Sequence, residues 1–188
     1  GGTLSDSVGI HRADATWAYC DAHCMAAFWL TAPDRQCRPG DFVRKRHLNT
    51  MSLDPFEWPL RIYFEDTDAA GIVYHARYLH YMERARTEWL REKGMDVQEL
   101  ARDKRLVFTV RSVCVDYLRP ARLSDTVYAS VVVRRVGGAS MDLSQVIRRD
   151  HETLCDGTVR LACVDVDSMR PRGIPKVLAS AIRHDTKK

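Results

Sequence analysis

The segment EDTDAAGIVYH, Glu65 to His75, concentrates the residues whose types and spacing could do chemistry. Glu65, Asp66 and Asp68 are followed by Ala69, Ala70 and Gly71, then by Ile72, Val73, Tyr74 and His75. A carboxylate can act as general base on water, or attack a carbonyl carbon itself. If a helix begins at His75, its first backbone N–H groups lack intrahelical acceptors. Such groups can polarise a carbonyl and hold the oxyanion formed on attack. Small residues at 69–71 let a substrate approach the backbone. Base or nucleophile, oxyanion donors and access are the parts that acyl transfer requires. The same composition also suits a plain helix-entry loop, because acidic side chains are favourable beside the positive end of a helix dipole. Which reading holds depends on the elements around the loop.

Leu60, Ile62 and Phe64 alternate with Arg61, Tyr63 and Glu65, which predicts a half-buried strand over 60–65. From His75 to Lys93 the apolar residues Tyr78, Met82, Ala85 and Trp89 recur at helical spacing. Leu79 and Leu90 widen that stripe, and Gly94 supplies a stop. Asp96 can cap a short helical turn to Arg102. Leu106–Leu118, Thr126–Val136, Ser140–Arg149 and Thr158–Val166 are rich in Val and other β-formers. Arg119-Pro120, Gly137-Gly138 and Asp156-Gly157 separate them as turn signals. Tight connections make neighbouring strands antiparallel. The order predicts an α+β fold in which a five-stranded antiparallel sheet curls around one long helix, the helix having only that sheet to bury its stripe against.

Residues 56–91, FEWPLRIYFEDTDAAGIVYHARYLHYMERARTEWLR, closely resemble the acyl-CoA thioesterases associated with the bacterial Tol–Pal system. These belong to the 4-hydroxybenzoyl-CoA thioesterase-like hotdog family, and the resemblance extends through the strands to about Arg172. It implies the hotdog fold, a five-stranded antiparallel sheet wrapped around one long helix. It implies that Asp68, the second Asp of the D-x-D pair, is the catalytic carboxylate. It also implies that the backbone N–H at His75 polarises the thioester carbonyl, with the His75 imidazole present as a further group. Asp66, Gly71 and Tyr74 match motif positions with supporting, substrate-binding roles. Ala70 departs from the pattern, since close relatives often carry a second Gly there; its methyl group narrows the site without removing function.

The implied activity is hydrolysis of an acyl-CoA to a carboxylic acid and CoA, with no metal or redox cofactor. Acyl-carrier protein is a further candidate thioester donor. The implied assembly is a homodimer or homotetramer binding acyl group and CoA at the subunit interface. Two other readings stay open. A hotdog enoyl-CoA hydratase also uses Asp and His. A non-catalytic acyl-carrier or envelope-complex adaptor, peripheral to the inner membrane, fits the Tol–Pal association.

Composition bounds these readings. The chain has 188 residues, 45% hydrophobic and 29% charged, an ordinary globular balance for one domain, or one domain plus an appendage. The net charge of +4 is too mild to point to nucleic acid. No apolar run approaches the length that spans a bilayer. The six irregularly spaced cysteines read as reduced thiols of a cytoplasmic protein rather than a disulfide scaffold. The pattern changes near Met51. Residues 51–188 read as the hotdog thioesterase domain, and residues 1–50 as an N-terminal extension, dispensable or non-native. That extension carries His11, Cys20, His23, Cys24, Cys37 and His47, without zinc-finger spacing. Tyr63 and Tyr81 read as packing aromatics, and His80 and His151 as surface or strand histidines. Arg134, Arg135, Arg148, Arg149, Arg170 and Arg172 read singly as solvated strand charges, with contacts to CoA phosphates as the alternative.

Overall fold

The computed structural model describes residues 55–185. The reading of residues 1–50, with its cysteines and histidines, lies outside them. Five strands form an antiparallel sheet in the order β1-β3-β4-β5-β2. They are β1 (Phe56–Arg61), β2 (Leu106–Tyr117), β3 (Thr126–Val136), β4 (Ser140–Arg149) and β5 (Glu152–Asp165). Helix α1 (His75–Glu92) packs on β3, β1 and β4, the short α2 (Val97–Asp103) lies beside β2, and α3 (Lys176–Asp185) lies beside β3. The α+β architecture of a sheet around a long helix is therefore observed, with two shorter helices added.

Helix α1 buries Tyr78, Tyr81, Met82, Ala85, Arg86, Trp89 and Leu90. Leu79 stays exposed, so Tyr81 rather than Leu79 widens the stripe. The helix stops where Gly94 turns left-handed at φ 73°, its N–H donating to the Arg91 carbonyl. Asp96 caps α2 by accepting from the N–H groups of Gln98 and Glu99.

Three local expectations need correction. The first strand spans Phe56–Arg61 rather than 60–65; Leu60 and Ile62 are buried, but Phe64 is exposed and lies in a 3-10 turn, Phe64–Asp66. Pro59 argues against a strand in the sequence, yet β1 is an edge strand pairing only with β3, where a missing N–H is tolerated. Next, Asp156-Gly157 is not a turn but lies mid-way along β5; the chain reverses instead near Asp150, at φ 51°. A Cβ on Gly157 would stand 3.0 Å from Cε of Met82, so this glycine lets α1 approach the sheet. Finally, β2 and β3 are not neighbours: β2 pairs with β5, and the connection between β2 and β3 crosses the sheet.

Cys155 and Cys163 are buried free thiols, and burial pushes the Cys155 thiol up to about 12.

Candidate active site

The 3-10 turn and the start of α1 are joined by a narrow hairpin. Thr67 pairs with Val73, and Asp68 N–H donates to the Ile72 carbonyl at 3.0 Å. The tip is closed by Gly71 N–H donating to the Asp68 carbonyl at 2.9 Å. Gly71 has φ 72°, a left-handed conformation that explains the glycine; a Cβ there would meet nothing within 4 Å. Ala70 has no such conformation, so the methyl group in place of a second glycine carries no backbone strain.

Asp68 is exposed at this tip. Its Oδ1 accepts from Ala70 N–H at 2.8 Å, an Asx turn that fixes the carboxylate, while Oδ2 has no partner among the described residues. One oxygen thus orients the group and the other remains available to a proton or a carbonyl carbon. No hydrogen bond joins Asp68 to His75 among the described residues.

Asp66 is turned inward and is buried. Its Oδ2 accepts from Tyr63 N–H at 2.9 Å, and its backbone carbonyl accepts from Tyr74 N–H at 2.9 Å. Arg77 Nε stands 3.4 Å from its Oδ1. Tyr74, largely exposed, is the N-cap residue of α1, in extended backbone and with no side-chain cap. Past it, the N–H groups of His75 and Ala76 have no acceptor among the described residues, as the first turn of a helix requires.

An aromatic cluster surrounds this helix start. The rings of Tyr74 and His75 lie 4.4 Å apart, those of His75 and Tyr117 6.2 Å, and those of Tyr78 and Tyr117 5.5 Å. Tyr117 Oη donates to the His75 carbonyl at 3.1 Å, and Tyr78 Oη accepts from Ala121 N–H at 2.9 Å. Burial raises both phenols above their ordinary value. A cavity of about 250 Å³ opens beside them, lined by Ile72, Val73, His75, Tyr78, Tyr117, Leu118, Arg119 and Pro120. Its lining is mostly apolar and includes His75, the first residue of α1, which suits an acyl group.

Sequence reasoning missed the far wall. Tyr117 and Leu118 end a strand and Arg119-Pro120 reads as a breaker, so nothing local marks them as neighbours of His75. The reading of Tyr81 as a packing aromatic holds, whereas Tyr63 is exposed. His151 is exposed beside the β4–β5 reversal, and His80 is exposed on α1. Of the six arginines, Arg148 pairs with Glu57, Arg149 with Asp125 and Glu152, and Arg172 with Asp165. Those three are committed to the fold.

The family model of the thioesterase-like superfamily matches residues 62–182. The chain is 43% identical over 129 residues to an acyl-CoA thioesterase, YbgC, of Haemophilus influenzae, covering 69% of this chain and 95% of that protein. It is 38% identical over 134 residues to an acyl-CoA thioester hydrolase, YbgC, of Escherichia coli, covering 71% of this chain and 99% of that protein. Among solved structures, a probable thioesterase from Bartonella henselae superposes with a TM-score of 0.61 at 33% identity, covering 63% of this chain and 98% of that one.

Proposed function

Because the chain belongs to the thioesterase-like superfamily, we propose that it hydrolyses acyl-CoA thioesters to a carboxylic acid and CoA, with Asp68 as the catalytic carboxylate. The thioester carbonyl oxygen points at the N–H of His75, which takes up the charge that develops when the carbonyl carbon is attacked. Asp68 either removes a proton from the attacking water or attacks directly, forming a mixed anhydride that water then cleaves. In both routes the C–S bond breaks, CoA leaves as the thiol after taking up a proton, and the acid is released. Gly71 shapes the hairpin tip, and Tyr74 and the cavity beside His75 receive the acyl chain. The observation that supports this most is the uncommitted Oδ2 of Asp68 on a hairpin whose root is bonded to the residue before His75. Thiol release over a panel of acyl-CoAs, with acyl-carrier-protein thioesters alongside, tests the reading and defines the donor.

The active unit is a homodimer or homotetramer. Edge strand β2 exposes Val110, Val113 and Tyr117, and Leu118 just after it is exposed too; Tyr117 and Leu118 line the cavity, and a second copy would cover this apolar edge. Sedimentation at micromolar concentration is expected to give a dimer or larger; a stable monomer contradicts it.

The activity belongs to residues 51–188: the family match covers 62–182, and the sheet, from β1 at Phe56 onward, the hairpin and the helix all lie within 51–188. A protein starting at Met51 is expected to equal the full chain in rate and melting temperature. A fall of several degrees, roughly 1–2 kcal/mol, means that the extension contributes to the fold.

The protein works in the cytoplasm, where CoA esters are made, and the resemblance over 56–91 supports a place beside the Tol–Pal system, peripheral to the inner membrane. The free thiols of Cys155 and Cys163 agree with that compartment. Among the described residues no helix is long and apolar enough to cross a membrane. Fractionation decides: a soluble pool with a salt-removable membrane share is expected, and export to the periplasm contradicts it.

A further inference from the structure

Asp66 is the one fully enclosed carboxylate beside the hairpin, and the chemistry proposed above makes no use of it. It touches the site on both sides. Its carbonyl holds Tyr74 N–H at 2.9 Å, and its carboxylate faces Arg77 Nε at 3.4 Å. Tyr74 and Arg77 bracket His75 and Ala76, the two residues whose N–H groups are unpaired, and Arg77 N–H in turn donates to the Tyr74 carbonyl at 2.8 Å. Arg77 Nη2 also donates to the Glu65 carbonyl at 2.7 Å. On the other side, Asp66 Oδ2 takes Tyr63 N–H, anchoring the end of β1 to the root of the hairpin that carries Asp68.

Asp66 Oδ1 and Tyr81 Oη are the two buried side-chain polar atoms without a hydrogen-bond partner among the described residues. The Tyr81 phenol faces Asp66 without closing a bond. Burial first, and then the charge of Asp66, push that phenol far above its ordinary value, so it stays protonated. An enclosed carboxylate whose Oδ1 has the ion contact with Arg77 at 3.4 Å but no hydrogen bond is weakly satisfied for a group placed for stability alone.

We infer that Asp66 is a positioning residue for thioester hydrolysis, not a substrate contact: it sets the direction of the His75 and Ala76 N–H groups relative to the Asp68 hairpin. The inference rests on the functional reading above. A misplacement of about 1 Å in such a constellation costs on the order of 10²-fold in rate.

The test compares Asp66→Asn, Asp66→Ala and Tyr81→Phe with Asp68→Asn in the full chain. Asp66→Asn keeps the shape and an acceptor for Tyr63 N–H, so it carries the test if Asp66→Ala does not fold. The expected result for Asp66→Asn is a kcat lowered by about 10- to 100-fold with KM changed by less than about threefold, and a smaller fall in kcat for Tyr81→Phe. A raised KM with unchanged kcat makes Asp66 a substrate contact and overturns the inference. So does wild-type kcat in Asp66→Asn while Asp68→Asn is inactive. Wild-type turnover in Asp68→Asn overturns the functional reading itself and this inference with it.

Discussion

Asp68→Ala is expected to lower thioester hydrolysis by about 10²- to 10⁴-fold, the usual loss when a general base is removed, and by more if the carboxylate is a nucleophile. The fold should survive. Asp68 is exposed, and among the described residues its side chain makes one hydrogen bond, to Ala70 N–H. Losing that bond costs about 1 kcal/mol. His75→Ala should cost less rate than Asp68→Ala, because the proposed donor is the backbone N–H, which alanine keeps. What alanine removes is the imidazole packed between Tyr74 and Tyr117. Steady-state thiol release on both variants at matched melting temperature checks this. A folded Asp68→Ala protein with wild-type turnover removes Asp68 from the mechanism. A His75→Ala protein as inactive as Asp68→Ala makes the imidazole a full partner.

The largest stability effect should come from Gln145→Leu. Gln145 is completely buried under α1, in the middle of β4. Its Oε1 accepts from Arg86 Nη1 at 2.7 Å, and its Nε2 reaches the carbonyls of Met82 at 3.1 Å and Ser130 at 3.2 Å. Arg86 also pairs with Glu83. Leucine fills similar space but leaves a buried guanidinium N–H and two carbonyls short of a partner. Leaving these buried polar groups short of hydrogen bonds, at about 1–3 kcal/mol for each, costs about 3–5 kcal/mol in all, or roughly 10 °C in melting temperature for a domain of this size. Removing the charge as well, in Arg86→Met with Gln145→Leu, should restore much of the loss, since a matched apolar pair strands no charge. Thermal unfolding of the single and double variants decides. A Gln145→Leu protein within about 3 °C of wild type shows that Arg86 finds another partner.

The same region shows where sequence reasoning stops. Tyr78, Met82, Ala85 and Trp89 could be read as a buried stripe because apolar spacing reports burial directly. Arg86 lies on that buried side too, yet a charged residue reads as solvent-facing unless its partner is known, and Gln145 is 59 positions away. Gly157 misleads for a related reason. Asp-Gly is a turn signal, but here the glycine answers a long-range contact with Met82 that no local pattern reveals. Pro59 is a local signal against a strand, and only the sheet order shows that β1 is an edge that tolerates it. Helix α3 has local signals in the sequence: Pro175 precedes it, and Leu178 and Ile182 bury a helical stripe. The candidate loop, Glu65 to His75, was the most legible part, because its residues are adjacent in sequence. Its opposite wall, Tyr117 to Pro120, arrives only through the crossing of the sheet between β2 and β3.

The central claim is that this fold breaks an acyl-CoA thioester with water, and crotonyl-CoA tests it most directly, because one substrate reports both chemistries a hotdog site could perform. The purified 188-residue chain, without added metal or cofactor, is mixed with crotonyl-CoA. Free thiol and absorbance of the conjugated double bond are followed together, with saturated acyl-CoAs in parallel. The account predicts thiol release that is catalytic in enzyme on at least one acyl-CoA, matched by free acid, and lost in Asp68→Ala. Loss of the double bond without thiol release, or binding of every acyl-CoA without turnover, would contradict it.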